Sequence, residues 1–216
     1  MTSLNIMDKK TWPTLLVEWA SENVFIPESK IDKKLFDFIT KNLTVEIYHA
    51  SRLLEEEIAD IKSFGLQVTS KNLFTKKLEY ARPYLSEKAY SKIQSLTLYN
   101  EEWRKNSIYF ILGDIPFVKS YWLFDGFLSF WGGEIVSMPK FSRVSIGEPC
   151  IVHLSLPCNL IKPTFCSLAE CFLLAYKNKF EGVEFRLNQD VHPANVLDIY
   201  TPGTMQYNQY PELIKI

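Results

Sequence analysis

Thr44-Val45-Glu46-Ile47-Tyr48-His49-Ala50-Ser51 is the stretch on which the fold turns. Its β-branched and aromatic residues predict a strand that ends at His49. Ser51 follows as the expected N-cap of a helix, with Leu54, Ile58 and Ile61 at helical spacing on one face. Gly65 stands where that helix should stop. Strand, His-Ala-Ser, helix and Gly65-Leu66 thus form one continuous arrangement.

Upstream, residues 8–43 read as helical. Trp12, Leu15, Leu16 and Trp19 recur at helical spacing, Pro13 suits a first turn, and Ile31, Leu35, Phe36 and Ile39 form a second apolar face. The expected division is a helical appendage over 1–43 and a main domain over 44–216. Downstream, residues 70–106 read as mostly helical, with a break at Pro83. Ser107-Ile-Tyr-Phe-Ile-Leu112 reads as a buried strand before Gly113. A helix is expected over 117–130, closed by Trp131-Gly-Gly-Glu134, and a strand over 134–138. Further strands are expected at 149–156, 182–188 and 195–201, and a helix at 166–178. Helices first, then strands interrupted by helices, favour an α+β fold over a doubly wound sheet.

The 216 residues are 47% hydrophobic and 14% aromatic, enough for a sizeable core, and the net charge is −1. A near-neutral surface restricts any nucleic-acid contact to a local patch. Met1 to Lys10 shows no signal-like apolar run, and no stretch reaches the roughly 18 apolar residues of a spanning helix, so a cytoplasmic protein without membrane contact is expected. Cys150, Cys158, Cys166 and Cys171 lack a paired C-x-x-C and read as buried free thiols rather than zinc ligands or disulfides. There is no G-x-x-x-x-G-K-[ST] loop, G-x-G-x-x-G fingerprint, H-E-x-x-H or G-x-S-x-G elbow.

The order of elements from His49 onward resembles the ADP-ribosyltransferase-like superfamily, in its His–Tyr–Glu class. That class includes the poly(ADP-ribose) polymerases, the diphtheria-toxin group and the RNA 2′-phosphotransferases. Its first strand ends in His-Gly-Ser or His-Gly-Thr, followed by a helix and a Gly-Leu turn. Here His49-Ala50-Ser51 and Gly65-Leu66 match, with alanine in place of glycine. Ile108-Tyr109-Phe110-Ile111 is similar to the family's Ile-Tyr-Phe-Ala strand. The resemblance covers roughly residues 44–201 and implies a split β-sheet core behind the N-terminal helical layer.

It further implies NAD as substrate, with no metal. His49 would bind a ribose hydroxyl, and Ala50 and Ser51 would offer backbone and hydroxyl groups to the nicotinamide end. Tyr109 would line the nicotinamide pocket; Tyr99 is the rival for that role, and a core aromatic is the plain alternative. Arg52 would hold the pyrophosphate, or else be an exposed first-turn arginine.

A carboxylate must complete such a site. Breaking the nicotinamide–ribose bond builds positive charge on the ribose, which a nearby carboxylate stabilises. Two candidates stand. Glu184 lies on the penultimate expected strand, where the family's closing strand pair would begin. Glu134 sits in Trp-Gly-Gly-Glu, where glycines permit close backbone approach and tryptophan offers a stacking wall.

Between Lys71 and Lys92 the cations Lys71, Lys76, Lys77, Arg82, Lys88 and Lys92 face only Glu79 and Glu87, with Tyr80, Tyr84 and Tyr90 interleaved. Such a segment suits single-stranded nucleic acid, but a solvated helix face explains the same pattern and is the favoured reading. The expected activity is transfer of ADP-ribose to a protein or nucleic-acid acceptor, in the setting of a toxin or phage-defence effector with an antitoxin or other protein partner. The alternatives are an inactive nucleotide-binding or interaction module of the same fold, and RNA 2′-phosphate transfer to NAD.

Overall fold

The computed structural model describes residues 3–27, 30–95, 106–113 and 146–210. The expected helix at 117–130, the strand at 134–138, Glu134 and Tyr99 lie outside these residues. Among the described residues there are six α-helices and six strands, and the fold is α+β. The helices are α1 (Thr14–Asn23), α2 (Lys33–Thr40), α3 (Glu55–Phe64), α4 (Lys71–Ala81), α5 (Glu87–Gln94) and α6 (Leu168–Tyr176). The strands are β1 (Ser3–Leu4), β2 (Thr44–Leu53), β3 (Ile108–Leu112), β4 (Glu148–Pro157), β5 (Val183–Leu187) and β6 (Val196–Tyr200). They follow the order β5-β3-β2-β4-β6, with β1 added against β2. No helix among the described residues is long and apolar enough to cross a membrane.

Two compact units divide the chain. The first comprises Met1–Tyr48, Tyr109–Pro116 and Leu154–Arg186; the second comprises His49–Ile108, Phe117–His153 and Leu187–Ile216.

In the first unit, the segment expected to be helical over 8–43 resolves into α1 and α2. Pro13 stands just before α1 rather than within its first turn, at φ −59 and ψ 148. Leu16, Trp19 and Phe36 are buried, whereas Leu15 and Leu35 face solvent. Trp12 meets Phe172 of α6 at 4.9 Å, Trp19 meets Phe36 at 4.8 Å, and Phe36 meets Phe172 at 5.6 Å. The indole N–H groups of Trp12 and Trp19 donate to the carbonyls of Asn5 and Asp32, which lets both rings be buried without an orphaned donor. The pattern of residues 1–10 did not reveal β1. It pairs parallel with β2, Ser3 with Thr44 and Leu4 with Val45, and Ser3 Oγ bonds Ser155 Oγ at 2.7 Å.

In the second unit, Leu54 and Ala81 pack with Tyr80, Leu85 and Ile146, and Leu78, Tyr90 and Ile93 pack with Phe74 and Leu85. The break at Pro83 is a single 3-10 turn, Arg82–Tyr84, between α4 and α5. Ser70 and Ser86 cap those helices through bonds from the Leu73 and Ala89 N–H groups. Gly65 ends α3 at φ +79, a conformation that costs glycine little and other residues more. A Cβ there would lie 1.8 Å from the Val191 carbonyl oxygen, because Leu66 and Val191 form a β-bridge immediately beyond.

Two expectations about β2 are corrected. The strand does not end at His49 but runs on to Leu53, and Ser51 is a strand residue rather than an N-cap. Ser51 is 1% exposed, so its short side chain fits the buried strand. The helix begins later because the Glu57 carboxylate reaches back to accept the Leu54 N–H at 2.9 Å, satisfying an otherwise orphaned donor. The closing strands β5 and β6 lie at opposite ends of the strand order and are not neighbours, so they are two edges rather than a pair.

Candidate functional site

Tyr109 and Glu184 belong to the first unit, on the neighbouring strands β3 and β5. Phe110 and Phe185 stack with ring centroids 5.5 Å apart and planes 24° from parallel. Both phenylalanines are fully buried on the same face of the sheet. Successive side chains on a strand point to opposite faces. Tyr109 and Glu184, each adjacent to a stacked phenylalanine, therefore share the other face, and both are half-buried. Antiparallel pairing sets Tyr48 of β2 opposite Ile111 of β3, which places Tyr48 on the Tyr109 face as well. No local pattern in the sequence marks Tyr48. The signal for it is register, which emerges only once β2 and β3 are paired.

Burial pushes the Glu184 carboxyl above the usual glutamate range. Its strand is held in place from the backbone: the Glu184 carbonyl accepts the Thr164 N–H at 3.3 Å and the Thr164 hydroxyl at 3.2 Å. Pro163 and Phe185 form the adjoining bridge.

His49, Ala50, Ser51 and Arg52 belong to the second unit, along the later half of β2. His49 is 6% exposed, and alternation puts it on one strand face with Ser51, leaving Ala50 and Arg52 on the other. Ala50 adopts extended backbone within the strand and is not among the positive-φ residues, so its methyl group carries no strain where the family has glycine. Arg52 is half-buried rather than an exposed first-turn residue. Its Nε donates to the Ile146 carbonyl at 2.8 Å, which fixes the direction of the guanidinium.

Within the second unit, Lys76, Lys77 and Arg82 of the basic segment pair with carboxylates. Lys76 Nζ lies 2.6 Å from Asp60 of α3, and this hydrogen bond raises its pKa against the opposing effect of desolvation. Lys77 lies 3.0 Å from Glu57 of α3. Arg82 lies 3.8 Å from Glu79 and stacks over Tyr90 at 4.8 Å, while the Tyr90 hydroxyl donates to Glu79 at 2.5 Å. Lys71 and Lys88 are exposed. The charge count along the segment includes Glu79 but not Asp60 and Glu57, which lie on the preceding helix.

Two other histidines take local roles. His192 caps the 3-10 turn Pro193–Asn195, its Nδ1 accepting from the Ala194 N–H at 3.1 Å, as its place before a proline suggests. His153 Nδ1 lies 2.6 Å from the Tyr200 hydroxyl, joining β4 and β6 within the second unit. No family model matches the chain, nor does any curated protein or solved structure.

Proposed function

We propose that the chain is an NAD-dependent ADP-ribosyltransferase of the His–Tyr–Glu class moving ADP-ribose to a macromolecular acceptor, with its six-stranded sheet as the core. The observation that carries this reading is the common face of Tyr109 and Glu184 on adjacent strands. An aromatic ring and a half-buried carboxylate on one sheet face suit nicotinamide–ribose cleavage. The ring offers a wall to the leaving nicotinamide, and the carboxylate stabilises positive charge on the ribose in the transition state. Partial removal from water strengthens that electrostatic effect.

In this reading Glu184 is the catalytic carboxylate and Tyr109 lines the nicotinamide pocket, with Tyr48 beside it. The roles of His49 at the ribose hydroxyl and of Ala50 and Ser51 at the nicotinamide end rest on the resemblance alone, since alternation along β2 turns the His49 and Ser51 side chains to the strand face away from Tyr48. Arg52 supplies positive charge toward the pyrophosphate. Glu134 is the second candidate for the carboxylate. A cytoplasmic toxin or phage-defence effector, restrained by an antitoxin or other protein partner, is the setting that analogy of fold suggests. Acceptor contact through Lys71 and Lys88 suits the exposed remainder of the basic segment better than a continuous phosphate-binding face would. The internal pairing of Lys76, Lys77 and Arg82 favours protein acceptors over RNA 2′-phosphate transfer.

The test is incubation of the protein with labelled NAD and a cell lysate, in wild-type form and as His49→Ala, Tyr109→Ala, Glu134→Gln and Glu184→Gln. Label transfer by wild type and its loss in Glu184→Gln is the expected result. Absence of transfer by wild type to both protein and nucleic-acid fractions overturns the reading and leaves a binding module of the same fold.

A further inference from the structure

Cys166 and Cys171 flank the start of α6. Ser167 is the N-cap of that helix, and Ser167-Leu-Ala-Glu170 closes a capping box. The Glu170 carboxylate accepts the Ser167 N–H at 2.7 Å, and the Ser167 hydroxyl accepts the Glu170 N–H at 3.3 Å. Cys166 is therefore the residue just before the cap and Cys171 the fourth residue of the helix. These are the two positions where a helix start commonly carries a hydrophobic staple, one side chain folded onto the other. Here the staple is made of two thiols, and their sulfurs stand 3.3 Å apart.

The surroundings of the two sulfurs differ. Cys171 is fully buried, whereas Cys166 is half-buried and follows Phe165, which is 91% exposed. Burial, and then the hydrogen bond with Cys166, push the Cys171 thiol far above the ordinary cysteine range. Cys150 and Cys158 are buried, and burial pushes both thiols up to about 12.

We propose that Cys166 and Cys171 are a reversible oxidation site, at which a hydroperoxide converts the dithiol staple to a disulfide. The Cys166 sulfur, its proton lost to solvent, attacks the terminal peroxide oxygen. The O–O bond breaks, the leaving oxygen takes a proton, and Cys166 becomes a sulfenic acid. The Cys171 sulfur then attacks the Cys166 sulfur. The S–O bond breaks, and the departing hydroxide takes the Cys171 proton as water. Two thiols have lost two electrons, and one peroxide has been reduced to an alcohol or water. From 3.3 Å the sulfurs need to approach by roughly 1.3 Å to reach bonding distance. The capping box holds the chain on both sides of Ser167 while they do so. Cys171 serves as the resolving sulfur because its buried thiol is the less reactive of the two until a sulfenic acid forms beside it.

The test is treatment of the folded protein with hydrogen peroxide, blocking of remaining thiols with N-ethylmaleimide, and mass spectrometry of the peptide spanning the two cysteines. The expected product has lost two hydrogens, takes no maleimide, and returns to the dithiol with dithiothreitol, while Cys150 and Cys158 are maleimide-labelled after unfolding. In Cys171→Ser the sulfenic acid at Cys166 should persist and react with dimedone, and wild type should give little such adduct. Both cysteines alkylated after peroxide, over-oxidation of Cys166 with Cys171 still a thiol, or a disulfide that involves Cys150 or Cys158 overturns the proposal. The wild-type experiment decides it even if the variant does not fold.

Discussion

Tyr109 and Glu184 share one face of the β3–β5 pair because Phe110 and Phe185 stack on the other. The stack lies between β3 and the edge strand β5, so the position of the candidate carboxylate depends on an aromatic contact it does not itself make. Truncating either phenylalanine should destabilise the fold by about 3–5 kcal/mol through lost burial and a residual cavity. Denaturant unfolding of Phe110→Ala and Phe185→Ala measures this. A loss below about 1 kcal/mol would mean that the site strands are held by something else.

Glu184 carries a pH signature. Its folded-state pKa is raised by burial, so the native state binds the proton more tightly than the unfolded chain does. The resulting stabilisation is fully present below the unfolded glutamate pKa and is lost as pH rises through the folded value. Glu184→Gln should therefore be more stable than wild type at neutral pH, with the gap closing as pH falls into the ordinary carboxylate range. Thermal melts across that range test it, and a gap that widens in acid would contradict the burial argument.

Gly65→Ala should lower stability more than a typical surface change. It forces a side chain into φ +79 and against the Val191 carbonyl oxygen, and the chain must shift to relieve the clash. A loss of at least about 1–3 kcal/mol is expected from the backbone strain alone. Hydrogen exchange should show the loosening at the Val191 amide, which bonds the Leu66 carbonyl at 2.8 Å.

Lys77 and Lys76 are adjacent in sequence but differ in what their loss should do. Lys77 pairs with Glu57, which is 3% exposed, so Lys77→Met leaves a buried carboxylate short of a cation and should cost about 3 kcal/mol. Lys76 pairs with the more exposed Asp60, and Lys76→Met should cost under about 1 kcal/mol. Denaturation midpoints of the two variants should separate accordingly, and equal losses would refute the contrast.

The strand through His49 was legible because β-branched and aromatic residues concentrate there. Its end was not, since a serine after a strand signals a cap only when no later group satisfies the helix start. Glu57 does so for Leu54, and β2 continues through Ser51. Alternation in Val183-Glu-Phe-Arg-Leu187 revealed β5, but not that β5 neighbours β3, because strand order follows from long-range pairing rather than local pattern. The basic run of α4 and α5 was plain in sequence, and the pairing of Lys76 and Lys77 was hidden because Asp60 and Glu57 lie on α3. The helix over 166–178 was legible by pattern, but the Ser167–Glu170 capping box emerges only in the structure, and the cysteines on either side of it gain meaning only from that box.

The most direct measurement of the central claim is nicotinamide release from NAD by the purified protein, with and without lysate as a source of acceptor. Wild type should release nicotinamide, and Glu184→Gln should lower kcat by about 100-fold or more, as loss of a group that stabilises transition-state charge does. Tyr109→Ala should raise KM for NAD. Wild-type release left intact by Glu184→Gln but abolished by Glu134→Gln would move the carboxylate to Glu134. No release by wild type under either condition would contradict the enzyme assignment itself.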